Sequence, residues 1–146
     1  MLPDARFVGF AETVNDFEIK SGQLALAKSS NEHVRGYATR AVAEHTTAAQ
    51  SLARNRSESG VTMAPDEDVR KIANNAMARL NSLQGAEFDT AFADAHVRVQ
   101  TAASNQYGAY AQNGKSGLRL IGTALYEASP LSVSSLRLIT VEGSML

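Results

Sequence analysis

The chain has 146 residues, a formal net charge of −1, and 44% hydrophobic and 20% charged residues, which is typical of one globular domain, here residues 1–146. Its fourteen basic and fifteen acidic residues form no long like-charge run, which argues against a nucleic-acid interface. Cysteine is absent, which excludes disulfides, thiolate nucleophiles and cysteine metal ligands, and no apolar run approaches the roughly 18 residues of a membrane span.

Two long helices are predicted over residues 3–28 and 31–52, because apolar residues recur there at spacings of three and four. Glu18 lies at the edge of the apolar stripe of the first helix, and His45 lies within the stripe of the second. The short turn between the helices predicts an antiparallel pair that brings these two side chains near one level. The second helix is expected to fray after residue 52, and the polar segment 54–60 predicts a loop.

Three further helical segments are predicted over 66–83, 86–111 and 118–141, the last of them kinked at Pro130. On the short segment, the residues predicted to face inward are Val69, Ile72, Ala73, Ala76, Leu80 and Leu83. On the segment 86–111 they are Phe88, Phe92, Ala95, Val99, Ala102 and Gln106. The sequence therefore predicts an all-α fold: an up-and-down antiparallel four-helix bundle with an additional short helix and a kinked last helix.

Several short motifs occur in a fixed order along the chain. They are Glu18, Gln23–Ser29, Glu32–Arg35, Glu44–Thr46, Gly85–Phe92 and Tyr110–Gly114. Together they resemble the domain of unknown function 4142 family, exported bacterial proteins with a ferritin-like bundle. The resemblance covers nearly the whole chain and implies a location in the periplasm or cell envelope, with no established reaction. Since residues 1–4 show no signal peptide, the chain is expected to be either cytoplasmic or the mature part of an exported protein.

The resemblance also points to positions where this chain differs. Many members of the family carry an Asp-His pair where this chain has Glu44-His45, and a His near Ser134-Ser135. Many also have a His at the position of Gln100 and a Gln at the position of His96, so these two side chains are exchanged here.

The side chains of Glu18, His45 and His96 leave two interpretations open. A ferritin-type two-metal centre requires Glu-x-x-His pairs, and the chain contains none, so this centre is rejected. The three side chains could instead hold a single transition metal ion such as zinc, copper or iron. Alternatively, Glu18 and His45 form a buried hydrogen-bonded pair that fixes helix register, and His96 is a partly buried polar residue.

Other candidate sites are weaker. The serines at 129, 132, 134 and 135 have no adjacent base, and 113–117 lacks the first glycine of a phosphate-binding loop. The four tyrosines, Tyr37, Tyr107, Tyr110 and Tyr126, are predicted to meet at one end of the bundle, where they either close its edge or form a binding surface.

The function predicted from the sequence is that of a non-catalytic, exported helical-bundle protein without a cofactor, which binds an unknown protein or small molecule or acts in an envelope stress response. The alternative is a metal-binding protein that uses Glu18, His45 and His96. The sequence does not indicate an oligomeric state.

Overall fold

The computed structural model describes residues 3–60, 62–114 and 119. These residues form four helices and no strand: α1 (Asp4–Lys28), α2 (Glu32–Ser59), α3 (Glu67–Ser82) and α4 (Gly85–Asn113). The all-α prediction is therefore confirmed. Apart from Arg119, the predicted last helix lies outside the described residues, as do Tyr126, the serine-rich segment and the kink at Pro130.

Helix α2 is longer than predicted. Asn31 starts it as expected, because its side-chain oxygen accepts hydrogen bonds from the backbone N–H groups of His33 and Val34. The helix then continues through the segment that was predicted to be a loop and ends at Gly60, whose φ of 70° is left-handed. Arg56 stabilises this last part, because its guanidinium lies 2.8 Å from the carboxylate of Glu12 on α1.

The central helix of the bundle is α1, which packs against the other three. Contacts at the two ends of α1 show the direction of α3. Near the start of α1, Arg6 pairs with Asp66 at 3.1 Å. At the end of α1, the Lys28 ammonium donates to three carbonyl groups at the end of α3, those of Leu80, Asn81 and Leu83. Helix α3 therefore runs parallel to α1. Helix α4 runs antiparallel to α1, because Tyr110 near its end donates to Asp4 at 3.2 Å.

Two glycines permit close contacts with α1. A Cβ atom at Gly22 would lie 2.8 Å from the side chain of Val42, so this glycine allows α1 and α2 to approach closely. A Cβ atom at Gly9 would overlap the carbonyl oxygen of Ala64, in the segment between α2 and α3. That segment is held to α1 by a hydrogen bond from Ala64 N to Ala5 O, of 2.9 Å.

The buried faces of α3 and α4 differ in part from those predicted. Ile72 was predicted to face inward, but it is 48% exposed, because α3 buries Val69, Ala73 and Leu80 instead. On α4 the predicted Ala95, Ala102 and Gln106 are only partly buried. The fully buried face runs through Phe88, Phe92, His96, Val99, Ala103, Tyr107 and Tyr110. Within the described residues, no helix combines the length and apolar character that a membrane span requires.

Candidate functional site

A layer of polar side chains crosses the middle of the bundle. We call it the polar layer; its members are Asn15, Glu18, Ser21, Tyr37, His45, His96 and Gln100. An apolar cluster around Phe7, Phe10 and Tyr107 lies on one side of it, and a second cluster around Val34 and Phe88 lies on the other. Buried polar groups destabilise a fold unless they are hydrogen-bonded, so the partners of each group decide what the layer can do.

The carboxylate of Glu18 is the centre of the polar layer and is 0% exposed. Its Oε1 atom accepts a hydrogen bond of 2.7 Å from Gln100 Nε2. Its Oε2 atom accepts one of 3.1 Å from the Tyr37 hydroxyl and lies 2.8 Å from His96 Nδ1. His96 and Gln100 reach the same carboxylate because residues four apart lie on one face of a helix. By the family resemblance, His96 and Gln100 are exchanged relative to many members. Because both positions reach Glu18, this exchange keeps one imidazole and one amide at the carboxylate.

The hydrogen bonds of His96 determine where its ring hydrogens lie. The Ser21 hydroxyl donates to the carbonyl oxygen of Phe17 at 2.5 Å, so it accepts from His96 Nε2 at 2.9 Å. Nδ1 faces the Glu18 carboxylate, which accepts hydrogen bonds when ionised. Both ring nitrogens are therefore placed as donors, and His96 and Glu18 have the geometry of a buried ion pair.

The charges in the layer follow from its burial and its partners. Burial raises the pKa of Glu18, but the adjacent His96, with smaller contributions from His45 and Gln100, lowers it below its ordinary value of 4.5. The carboxylate is therefore ionised at neutral pH. Burial and the charge of Glu18 together raise the pKa of Tyr37 well above 10.0, so this hydroxyl keeps its hydrogen and donates it.

His45 lies in the same layer but does not bond to Glu18. Its Nδ1 atom is 2.8 Å from Asn15 Oδ1, which can only accept, so Nδ1 carries the hydrogen. Burial lowers the pKa of His45 below 6.5, although Glu18 acts in the opposite direction. His45 is therefore neutral at pH 7, with a lone pair on Nε2, and 8% of its surface remains exposed.

Two polar atoms in this region have no partner. The Asn15 amide nitrogen and the Tyr107 hydroxyl are both buried without a hydrogen bond among the described residues. Burial raises the pKa of Tyr107, and so does the charge of Glu18.

The predicted site residues meet in this layer with a different pairing. The predicted Glu18–His45 hydrogen bond is wrong, because Glu18 pairs with His96 and His45 pairs with Asn15. His96 was expected to be partly buried and is fully buried. The sequence-based prediction did not include Asn15, Ser21 or the contacts of Tyr37 and Gln100. Only acids and histidines inside an apolar stripe were treated as candidate site residues.

The predicted metal site can be compared with these contacts. Over residues 3–60, 62–114 and 119, no group of three or more His, Asp or Glu side chains is placed to hold a metal ion. Both oxygens of Glu18 and both ring nitrogens of His96 are already hydrogen-bonded. An ion bound by Glu18, His45 and His96 would have to displace these partners, so the three residues fit a metal only after a rearrangement.

The three tyrosines in the described part of the chain do not meet at one end of the bundle. Tyr37 belongs to the polar layer, whereas Tyr107 and Tyr110 lie in the cluster beyond it, where Tyr110 stacks on Phe7 with ring centroids 3.7 Å apart. All three are buried, so the predicted tyrosine surface is wrong for these residues.

Comparison with known proteins identifies a family. The family model described as Domain of unknown function (DUF4142) matches residues 2–118 of the chain. No curated protein and no solved structure matches the chain. The match agrees with the predicted family and with the all-α fold.

Proposed function

We propose a non-catalytic binding role in the bacterial cell envelope for this chain, which belongs to the DUF4142 family. The observation that carries the proposal is the closure of the polar layer: Glu18, Ser21 and His96 are 0% exposed and bond to one another or to neighbouring side chains. A general acid or base must reach the proton that it transfers. These groups are buried and hydrogen-bonded to side chains of other helices, which supports a role in fixing the register of the helices. The proposed location rests on the family resemblance.

Binding is assigned to the surface, where a groove lies between α1 and α3. We call it the α1/α3 groove; its volume is about 540 Å³, within the range of about 300–1,000 Å³ that is usual for ligand sites. Phe17, Met63 and Met77 contribute apolar surface to it, and Met63 is 39% exposed. Flexible methionine side chains suit a binding surface that adapts to its partner.

Complementation of a host deletion strain tests the proposal with two variants. Glu18→Leu/His96→Leu replaces the buried pair with apolar groups, whereas Met63→Glu/Met77→Glu changes the α1/α3 groove. If the layer is structural and the groove binds the partner, the first variant restores the wild-type phenotype and the second does not, although both show wild-type circular dichroism. Loss of complementation by a folded Glu18→Leu/His96→Leu variant would contradict the proposal. Fractionation of the complemented strain tests the envelope location.

A second candidate function, metal binding, is favoured by His45. Its Nδ1–H group is held by Asn15, so the Nε2 lone pair is available, and this is how a histidine ligand is commonly oriented. Metal analysis of untagged protein tests this candidate, with His45→Ala as the variant and the exposed His33→Ala as its matched control. Stoichiometric metal that is lost only in His45→Ala would support metal binding by the layer. Substoichiometric metal in all three proteins would exclude it.

A further inference from the structure

A second, smaller groove lies between α3 and α4, on the other side of α3. We call it the α3/α4 groove; its volume is about 230 Å³. Its floor is apolar and includes Ala76, Leu80 and Ala95. Ile72 also lines the groove, with 48% of its surface exposed, so the groove and the isoleucine form a strip with exposed apolar surface on the outside of the bundle.

Three charged side chains border this strip: Arg79 of α3, and Asp94 and Arg98 of α4. Within the described part of the chain, none of the three has an ion pair or a side-chain hydrogen bond. By contrast, Arg6, Arg56 and Arg70 each contact a carboxylate at 2.8–3.2 Å.

We propose that the α3/α4 groove is the interface at which two copies of this chain form a two-fold symmetric dimer. A two-fold interface places one surface patch against an inverted copy of itself. A patch with charges of one sign would repel its copy and would suit an oppositely charged ligand. This patch carries an acid together with two bases, so Asp94 of each copy can pair with an arginine of the other while the two Ile72 side chains meet.

The size of the face sets the strength of the contact. Sixteen residues make α3 about 24 Å long, and two helices side by side are roughly 20 Å wide. Each copy can therefore bury on the order of 500 Å², which is at the small end of specific interfaces. We expect a reversible dimer with a dissociation constant on the order of 10–100 µM. This inference does not depend on the proposed binding role or on the α1/α3 groove.

Analytical ultracentrifugation of the full chain, from about 5 µM to about 500 µM, tests the dimer over this range. The wild-type protein is expected to change from monomer to dimer, and Ile72→Glu to stay monomeric. Met63→Glu is the matched control, because Met63 is the other large apolar residue exposed in the described part of the chain and lies outside the groove. A wild-type monomer at every concentration, or equal loss of dimer in the Met63 and Ile72 variants, would overturn the proposal.

A charge exchange tests the symmetry. In Asp94→Lys the patch is entirely basic, and in Arg79→Glu/Arg98→Glu it is entirely acidic, so each variant is expected to lose at least tenfold in self-affinity. When mixed they should form a heterodimer, which adding Ile72→Glu to both variants abolishes. If either variant dimerises as well as the wild type, or if the mixture stays monomeric, the proposed pairing is wrong.

Discussion

The buried ion pair of Glu18 and His96 makes Glu18→Gln a direct test of the polar layer. The substitution preserves the size of the side chain but removes its charge. His96 Nδ1 then loses the carboxylate beside it, and the Gln side chain brings an N–H₂ group to a position where three donors already converge. Because Glu18 and His96 are both 0% exposed, water cannot replace the lost interactions.

The separation in the structure sets the magnitude. At 2.8 Å, with an effective dielectric constant of about 20, Coulomb's law gives roughly 6 kcal/mol of attraction between unit charges. Desolvation of the two ions offsets part of this attraction. Removing one member of such a buried pair is expected to lower the free energy of unfolding by about 3–5 kcal/mol, a large part of the 5–15 kcal/mol typical of a domain.

Urea denaturation at pH 7, followed by circular dichroism, measures this change. Glu12→Gln is the matched control, because Glu12 lies on the same helix and pairs with Arg56 at the same distance of 2.8 Å, but with both side chains partly exposed. That variant should cost at most about 1 kcal/mol. If the Glu18 and Glu12 substitutions have equal effects, a buried ion pair is not what stabilises the layer.

Three further experiments test other parts of the structure. Gly9→Ala should destabilise the fold by about 2–4 kcal/mol, because its Cβ atom overlaps the Ala64 carbonyl. The half-buried Gly36 has space for a Cβ atom, so Gly36→Ala should stabilise the fold by about 0.5–1 kcal/mol. Equal effects of the two substitutions in thermal unfolding would contradict the contact at Gly9. Tyr107→Phe removes a buried hydroxyl without a partner, so the free energy of unfolding should stay within about 0.5 kcal/mol or rise; a loss above about 1 kcal/mol would show that the hydroxyl is bonded. The folded-state pKa of His45 is below 6.5, so as the pH falls through 6.5 the unfolded chain binds more protons than the folded chain. The free energy of unfolding therefore decreases, by up to about 1.4 kcal/mol per pH unit. Urea titrations between about pH 7.5 and 5.5 should show a shallower decrease in His45→Gln, and identical slopes in the two proteins would exclude this contribution.

The helices, although not the end of α2, could be predicted because their signals are local. The spacing of apolar residues indicates α1 to α4, and the caps at Asn31 and Gly60 depend on neighbours within one turn of the chain. The end of α2 was predicted too early, because a polar segment can be a loop or an exposed helix with the same residues. The contact of Arg56 with Glu12 supports the helix here, and these two residues are far apart in the sequence.

The pairing in the polar layer could be predicted only in part. Asn15 lies fourteen residues before Ser29, and His45 lies fourteen residues after Asn31, so the antiparallel turn places these two opposite each other, as observed. Pairing by charge predicted Glu18 as the partner of His45 instead, and Glu18 lies about one helical turn from Asn15. The partner of Glu18, His96, comes from a helix that no short turn connects to α1, so no count of residues could indicate it.

The sequence alone determined which segments are helical, that they form an all-α bundle, and which few ionisable side chains enter its interior. The tertiary structure decided which of those side chains touch and which apolar residues, such as Ile72, stay outside. The reason is physical: helix formation depends on residues three or four apart, whereas contacts between helices depend on how each helix is rotated about its axis. One residue changes that rotation by about 100°, so only the packing of the complete bundle selects the face that each helix buries.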